Sequence, residues 1–198
     1  MNRDIIITLL FLWCSFFLTE DVNGMFEAIL THGESIHANN EKWDNDGVKI
    51  KRFNRTAYVI TGSFQINIDY ANECDLLCVL YKKSGNEYKL LPYKFGPKNL
   101  CSFVVEEELF YPAFLETTKN FPPLGTCDFK KGKYEFENYM PDLSKVPPVF
   151  ESGDYMVECQ ALKNKELING YKIYGQVFNY ADAKSGVPAK PKTPDMKP

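Results

Sequence analysis

Between Phe64 and Tyr70 the chain reads FQINIDY, with Phe64, Ile66, Ile68 and Tyr70 alternating with Gln65, Asn67 and Asp69. Side chains on a strand point to opposite faces with a period of two, so this run buries one face and wets the other when it is extended; a helix would scatter the same residues around its circumference. Other segments repeat the signal. Val48 and Ile50 alternate with Lys49 and Lys51, and Tyr134, Phe136 and Asn138 occupy every second position of a later run. Leu76 to Tyr81 is continuously apolar, and Ser84-Gly85-Asn86 folds it back into Glu87 to Pro92 as a hairpin. Tyr155 to Leu162 makes another strand, and Asn169-Gly170 reads as the turn that introduces Tyr171 to Tyr180. Frequent turns and few helical patterns predict an all-β, immunoglobulin-like β-sandwich.

Three stretches depart from that rhythm. Residues 25 to 46 are mixed and polar with Trp43 as the one bulky anchor, which fits a first edge strand or a loosely held arm. Asp44-Asn45-Asp46-Gly47 lacks the later ligands of a calcium loop, so a tight hairpin turn with positive φ at Gly47 is expected. Ser102 to Tyr111 reads SFVVEEELFY, with apolar residues at helical spacing and Pro112 placed to end the turn; it predicts a short helical or irregular lid. Glu106, Glu107 and Glu108 within it are adjacent on a helix, point in different directions and form a solvated face, not a catalytic pair.

The two ends of the chain read differently from its middle. An apolar run from Ile5 to Leu18 follows Arg3 and Asp4 and leads to Thr19-Glu20-Asp21-Val22-Asn23-Gly24, the pattern of a secretory signal peptide over residues 1–24. The run is short for a membrane span. Residues 25–180 then form one domain, and the Pro- and Lys-rich stretch 181–198 is expected to be disordered. Asn54-Arg55-Thr56 is an N-glycosylation sequon, in keeping with a secreted or secretory-organelle protein.

Charge and cysteine content narrow the function. Of 23 basic and 26 acidic residues, removal of the leader takes Arg3, Asp4, Glu20 and Asp21 and leaves a near-neutral protein, without the basic footprint of nucleic-acid binding. With Cys14 in the leader, five cysteines remain: Cys74, Cys78, Cys101, Cys127 and Cys159. An oxidising compartment bridges such residues, and the odd one is either buried and inert or joins two chains of an otherwise monomeric protein. Their spacing lacks the second close pair of a zinc site, and His32 and His37 lie far from any of them. No Gly-x-Ser-x-Gly elbow occurs, so neither a metal, a cofactor nor an enzymatic activity is expected.

The most specific pattern is an ordered one. Cys127-Asp128-Phe129 is followed by Lys130-Lys131-Gly132-Lys133-Tyr134, then Pro141-Asp142-Leu143, then Pro147-Pro148, then Gly153-Asp154-Tyr155 at the start of the penultimate strand. Over roughly residues 60–180 this resembles the ganglioside activator-like members of the ML (lipid-recognition) family, and most closely their secreted insect chemosensory-type relatives. Asp128 stands where the family usually has proline and some of the family's cysteines are missing, which points to the insect-type relatives more than to ganglioside presentation.

The resemblance implies a β-cup, a sandwich holding a lipid, glycolipid or lipid-like semiochemical between its sheets, with transient membrane contact through the lid. Facing sheets are normally held about 10 Å apart by interlocked side chains, so a ligand requires them to splay at one end. The expected wall draws on Phe64, Ile66, Ile68, Val79, Tyr134 and Phe136, on Phe103, Leu109, Phe110 and Phe114 of the lid, and on Tyr155, Val157, Ile173 and Val177. A bridge from Cys101 to Cys127 would tether the lid and remove about 3.5 kcal/mol of chain entropy from the unfolded state. Cys159 then has Cys74 or Cys78 as partner, and spacing does not choose between them. The competing reading is a secreted protein-recognition module with a solid core, its apolar lid serving as an interface.

Overall fold

A computed structural model of the chain describes residues 26–55, 57–106, 111–140 and 150–179. The period-two segments become ten strands in two antiparallel sheets among these residues. The larger sheet runs, from edge to edge, β1 (Phe26–Ile36), β10 (Glu166–Asn179), β9 (Gly153–Lys163), β5 (Asp75–Ser84) and β6 (Glu87–Asn99). The smaller runs β2 (Trp43–Asp44), β4 (Tyr58–Ile66), β8 (Gly132–Tyr139) and β7 (Thr118–Lys119), with β3 (Lys49–Arg52) also paired to β4. This is an all-β sandwich. Between β6 and β8 the chain crosses over through α1 (Leu100–Glu106) and α2 (Tyr111–Leu115), which occupy the place of the expected lid.

The sheets differ in size. Strands of the larger one are 10 to 14 residues long, whereas the longest of the smaller one has 9 and two have only 2. At about 3.3 Å per residue, the longest strands reach roughly 46 Å and 30 Å. The smaller sheet therefore covers only part of its partner.

Where the two layers meet, the core is aromatic. Phe64 stacks on Tyr134 at 5.2 Å and on Trp43 at 5.7 Å, and Phe121 meets both Phe64 and Tyr134 edge-on. Phe114 of α2 meets Phe121 at 4.8 Å and Tyr139 at 4.9 Å, each edge-on. Rings so arranged place positive edges on negative faces and add stabilisation beyond their buried area. The crossover thus supplies interior packing: Val104 and Tyr111 are buried with Ile66, Ile68 and Phe129, and Phe103, Phe114 and Leu115 pack against that cluster.

Several local expectations are corrected. Pro112 does not end a helix but is the second residue of α2, in the first turn, where its missing N–H is not needed. Asp46-Gly47 does form a turn, yet β2 and β3 on either side of it pair with β4 and not with each other. The positive φ lies instead at Gly62, at +117°, where β4 shifts register against β8. Asn169-Gly170 is not a turn but lies inside β10; the chain reverses at Asn164 and Lys165, whose φ values of 52° and 70° give a hairpin its matching twist. Asn169 is held in the sheet because Asn45 Nδ2 donates to its Oδ1 at 3.0 Å while its own Nδ2 donates to the Trp43 carbonyl. β4 ends at Ile66, so Ile68 is buried beyond it and Tyr70 leads into a 3-10 turn at Ala71–Glu73. The expected signal peptide and the expected disordered tail lie outside the described residues.

A Cβ at Gly62 would sit 1.9 Å from the Gly47 carbonyl oxygen, in a backbone conformation that L residues resist. Gly62→Ala is expected to lose about 2–4 kcal/mol of stability, read as a lower urea midpoint at unchanged slope.

Candidate ligand-binding cavity

Pairing registers define the inner face of the larger sheet. Leu76, Cys78 and Leu80 of β5 lie opposite Ala161, Cys159 and Val157 of β9, which in turn lie opposite Asn169, Tyr171 and Ile173 of β10. Ala161 and Ile173 mark where cover from the core begins, since each packs against a buried cluster. Beyond Ile173 the face opens into a cavity of about 420 Å³. Its lining comes wholly from the larger sheet and from Phe150, just before β9: Ala28 and Leu30 of β1, Cys78 and Leu80 of β5, Tyr93 and Phe95 of β6, and Gly175 and Val177 of β10. That volume is within the range of small-molecule sites, and the lining is almost entirely apolar.

The mouth is aromatic. Tyr93 and Phe95 on edge strand β6 are 48% and 39% exposed although both also line the cavity. Tyr93 meets Phe150 edge-on at 5.7 Å, Phe150 meets Tyr155 at 5.8 Å, and Phe95 meets Phe103 of α1 at 5.2 Å. Lys82 stands over the Tyr155 ring, 5.7 Å from its centroid, and pairs with Glu151. Burial opposes its charge, but the hydrogen bond to Glu151 and the neighbouring Tyr155 outweigh that and hold its pKa above the ordinary lysine range. The Tyr155 hydroxyl donates to the Glu151 carbonyl at 2.8 Å, and Gln176 Nε2 donates to Asp154 at 2.8 Å. Lys82, Tyr155 and Gln176 are thus engaged by the protein, and apart from Lys94 on β6 the wall offers a ligand mainly dispersion and apolar contact.

A groove of equal volume runs past Pro122, Asp128 and Tyr134, but its character differs. Lys130, Lys131 and Lys133 along it pair with Asp128, Asp69 and Glu135 at 2.9, 2.7 and 2.6 Å. The apolar cavity is the stronger ligand candidate.

Two disulfides frame the interior. Cys78 bonds Cys159 directly across β5 and β9, and Cys101 bonds Cys127, tying the start of α1 to the loop before β8. Asn72 backs the second bridge: its Oδ1 accepts the Phe129 N–H at 2.9 Å, and its carbonyl lies 3.4 Å from Cys101 Sγ. The odd cysteine is Cys74, only 1% exposed, and burial pushes its thiol pKa up. A thiol so enclosed is not placed to bridge two folded chains.

The expected wall residues divide into three groups. Val79, Tyr155, Val157, Ile173 and Val177 line the cavity. Phe64, Ile66, Ile68, Phe103, Phe114, Tyr134 and Phe136 belong to or pack against the solid core. Leu109 and Phe110 lie outside the described residues. Sequence reasoning passed over Ala28 and Leu30, whose alternation was present in a stretch read as mixed, and Tyr93 and Phe150, which carry no periodic signal. Asn54 is exposed between β3 and β4, its Oδ1 accepting the Ala57 N–H at 2.8 Å, while Thr56 lies outside the described residues. His32 stacks on Tyr174 at 4.1 Å, and His37 lies 3.3 Å from Asp46. No helix among the described residues is long and apolar enough to cross a membrane.

Residues 76–157 match the family model described as "Protein of unknown function (DUF1091)". The matched stretch begins in β5 and ends in β9, so it contains Leu80, Tyr93, Phe95, Phe150, Tyr155 and Val157 of the cavity wall. No curated protein matches the chain.

The bridges close loops of different length, 81 residues for Cys78–Cys159 and 26 for Cys101–Cys127. In the chain-entropy account their removal is expected to cost about 4.5 and 3.5 kcal/mol respectively. Urea unfolding of Cys78→Ala/Cys159→Ala and Cys101→Ala/Cys127→Ala proteins checks both the sizes and the order.

Proposed function

We propose that the protein is a secreted carrier of a lipid or lipid-like molecule, held in the apolar cavity on the larger sheet. The observation that carries this reading is the cavity itself: about 420 Å³ lined by Leu80, Val157, Ile173 and Val177 with an aromatic mouth. Each methylene moved from water into such a wall contributes about 0.8 kcal/mol, so an alkyl chain binds firmly without a charged contact. The ordered motif from Cys127 to Tyr155 supports the same reading through its resemblance to the ML family, whose secreted insect chemosensory-type members fit this chain better than the ganglioside presenters. Transport or presentation of a semiochemical or membrane-derived lipid is the matching role, with no catalytic step. Two disulfides and an exposed Asn54 accord with passage through the secretory route and with glycosylation there.

The mouth gives the ligand its route. Tyr93 and Phe95 lie on the free edge of β6, so an alkyl chain enters beside that strand and passes Phe150 and Tyr155 on its way in.

Native mass spectrometry on protein purified from its own tissue is expected to show a co-purified hydrophobic molecule, and a protein that arrives empty and takes up no alkyl probe would instead favour a solid recognition module. Val157→Trp, which fills the cavity, is expected to weaken uptake of a fluorescent fatty-acid probe at least about tenfold while leaving the circular dichroism unchanged. Equal uptake by the variant would rule this cavity out as the site.

A further inference from the structure

An inward-facing charge stands at the mouth of the apolar cavity. Side chains alternate along a strand, so Lys82 shares the inner face of β5 with Cys78 and Leu80, both of which line the cavity, and lies just beyond Leu80 where that lining ends. It is paired in register with Tyr155 of β9, which also lines the cavity, and its ammonium lies 5.7 Å from the centroid of that ring. A Cβ at Gly153 would come within 3.3 Å of Lys82 Cε, so the glycine leaves the lysine stem room to lie against the start of β9.

A carboxylate already sits on this ammonium. It belongs to Glu151, the residue after Phe150 of the wall, and its side chain is 79% exposed against 25% for Lys82. An ion pair with one partner so solvated contributes little to stability, and exchanging its carboxylate for another costs little. The other charges around it leave the rim positive. Asp154 is met by Lys83 and by Gln176, while Lys94, the one charged residue of the cavity lining, has no ion pair among the described residues. At roughly 30 Å³ per heavy atom, the share a water takes in its liquid, the 420 Å³ of the cavity holds about 14 atoms.

We infer that the ligand of this cavity is an acidic amphiphile, whose alkyl chain of about 10–14 carbons lies along the wall while its carboxylate takes the place of the Glu151 carboxylate on the Lys82 ammonium. The inference rests on the carrier reading and adds the chemistry of the head group to it. Apolar walls alone select the other way, because a carboxylate gives up more hydration than an alcohol of the same chain length. A preference for the acid is therefore the mark of the lysine.

The test uses the full chain and three probes of one chain length, dodecanoate, dodecanol and dodecyltrimethylammonium, titrated calorimetrically at neutral pH below their micelle concentrations. Dodecanoate is expected to bind at least about fivefold more tightly than dodecanol, with the cationic probe weakest. Lys82→Met, which keeps an unbranched apolar stem, is expected to abolish that preference while dodecanol affinity stays within about twofold of the original. Glu151→Gln removes the competing carboxylate but keeps the backbone carbonyl that the Tyr155 hydroxyl uses, and is expected to raise dodecanoate affinity about threefold, a gain that a merely structural ion pair would not produce. Equal affinity for acid and alcohol, or a preference that survives Lys82→Met and is lost in Lys94→Met, would overturn this inference and leave the carrier reading standing. Failure of all three probes to bind would overturn the carrier reading, and this inference with it.

Discussion

Two sheets of unequal extent cannot cover each other, and most of what is distinctive in this protein follows from that mismatch. The larger sheet presents an inner face built on strands of up to 14 residues, while the smaller has none longer than 9. Apolar surface left in water is unfavourable in proportion to its area. The face must therefore be covered by something other than strands.

One part of the cover is the crossover between β6 and β8. Its aromatic residues fill the layer under β4 and β8, with Phe114 and Phe121 seated among Phe64, Tyr134 and Tyr139. The Cys101–Cys127 bridge and Asn72 hold both ends of that segment against the 3-10 turn, so a stretch with little regular structure still has a fixed place. The segment that the sequence suggested as a lid thus contributes Phe103, Phe114 and Leu115 to the packed interior.

What the crossover and the smaller sheet leave uncovered remains as hollow space. Cys78–Cys159 joins β5 to β9 within the larger sheet and stands between a roomy apolar cavity and a smaller hollow. The wall of the large cavity offers dispersion and apolar contact, which are non-directional.

Alternation in FQINIDY and its counterparts located strands without fixing their ends, since β4 stops at Ile66 while the period runs on to Tyr70, and the density of turns pointed to the all-β class. Five of the six cysteines lie between residues 74 and 159, so bridging among those five leaves one thiol over, and the sequence does not say which. Local signals misled where distant groups outbid them: Asn169-Gly170 has turn chemistry, but Asn45 and the Trp43 carbonyl, more than 120 residues away in the chain, hold Asn169 in a strand. The division of apolar residues between core and cavity wall was likewise decided only in three dimensions. Phe64 and Val157 carry the same signal of an inward side chain, and whether a facing layer reaches that side chain depends on the length of another strand, which no window of neighbouring residues contains.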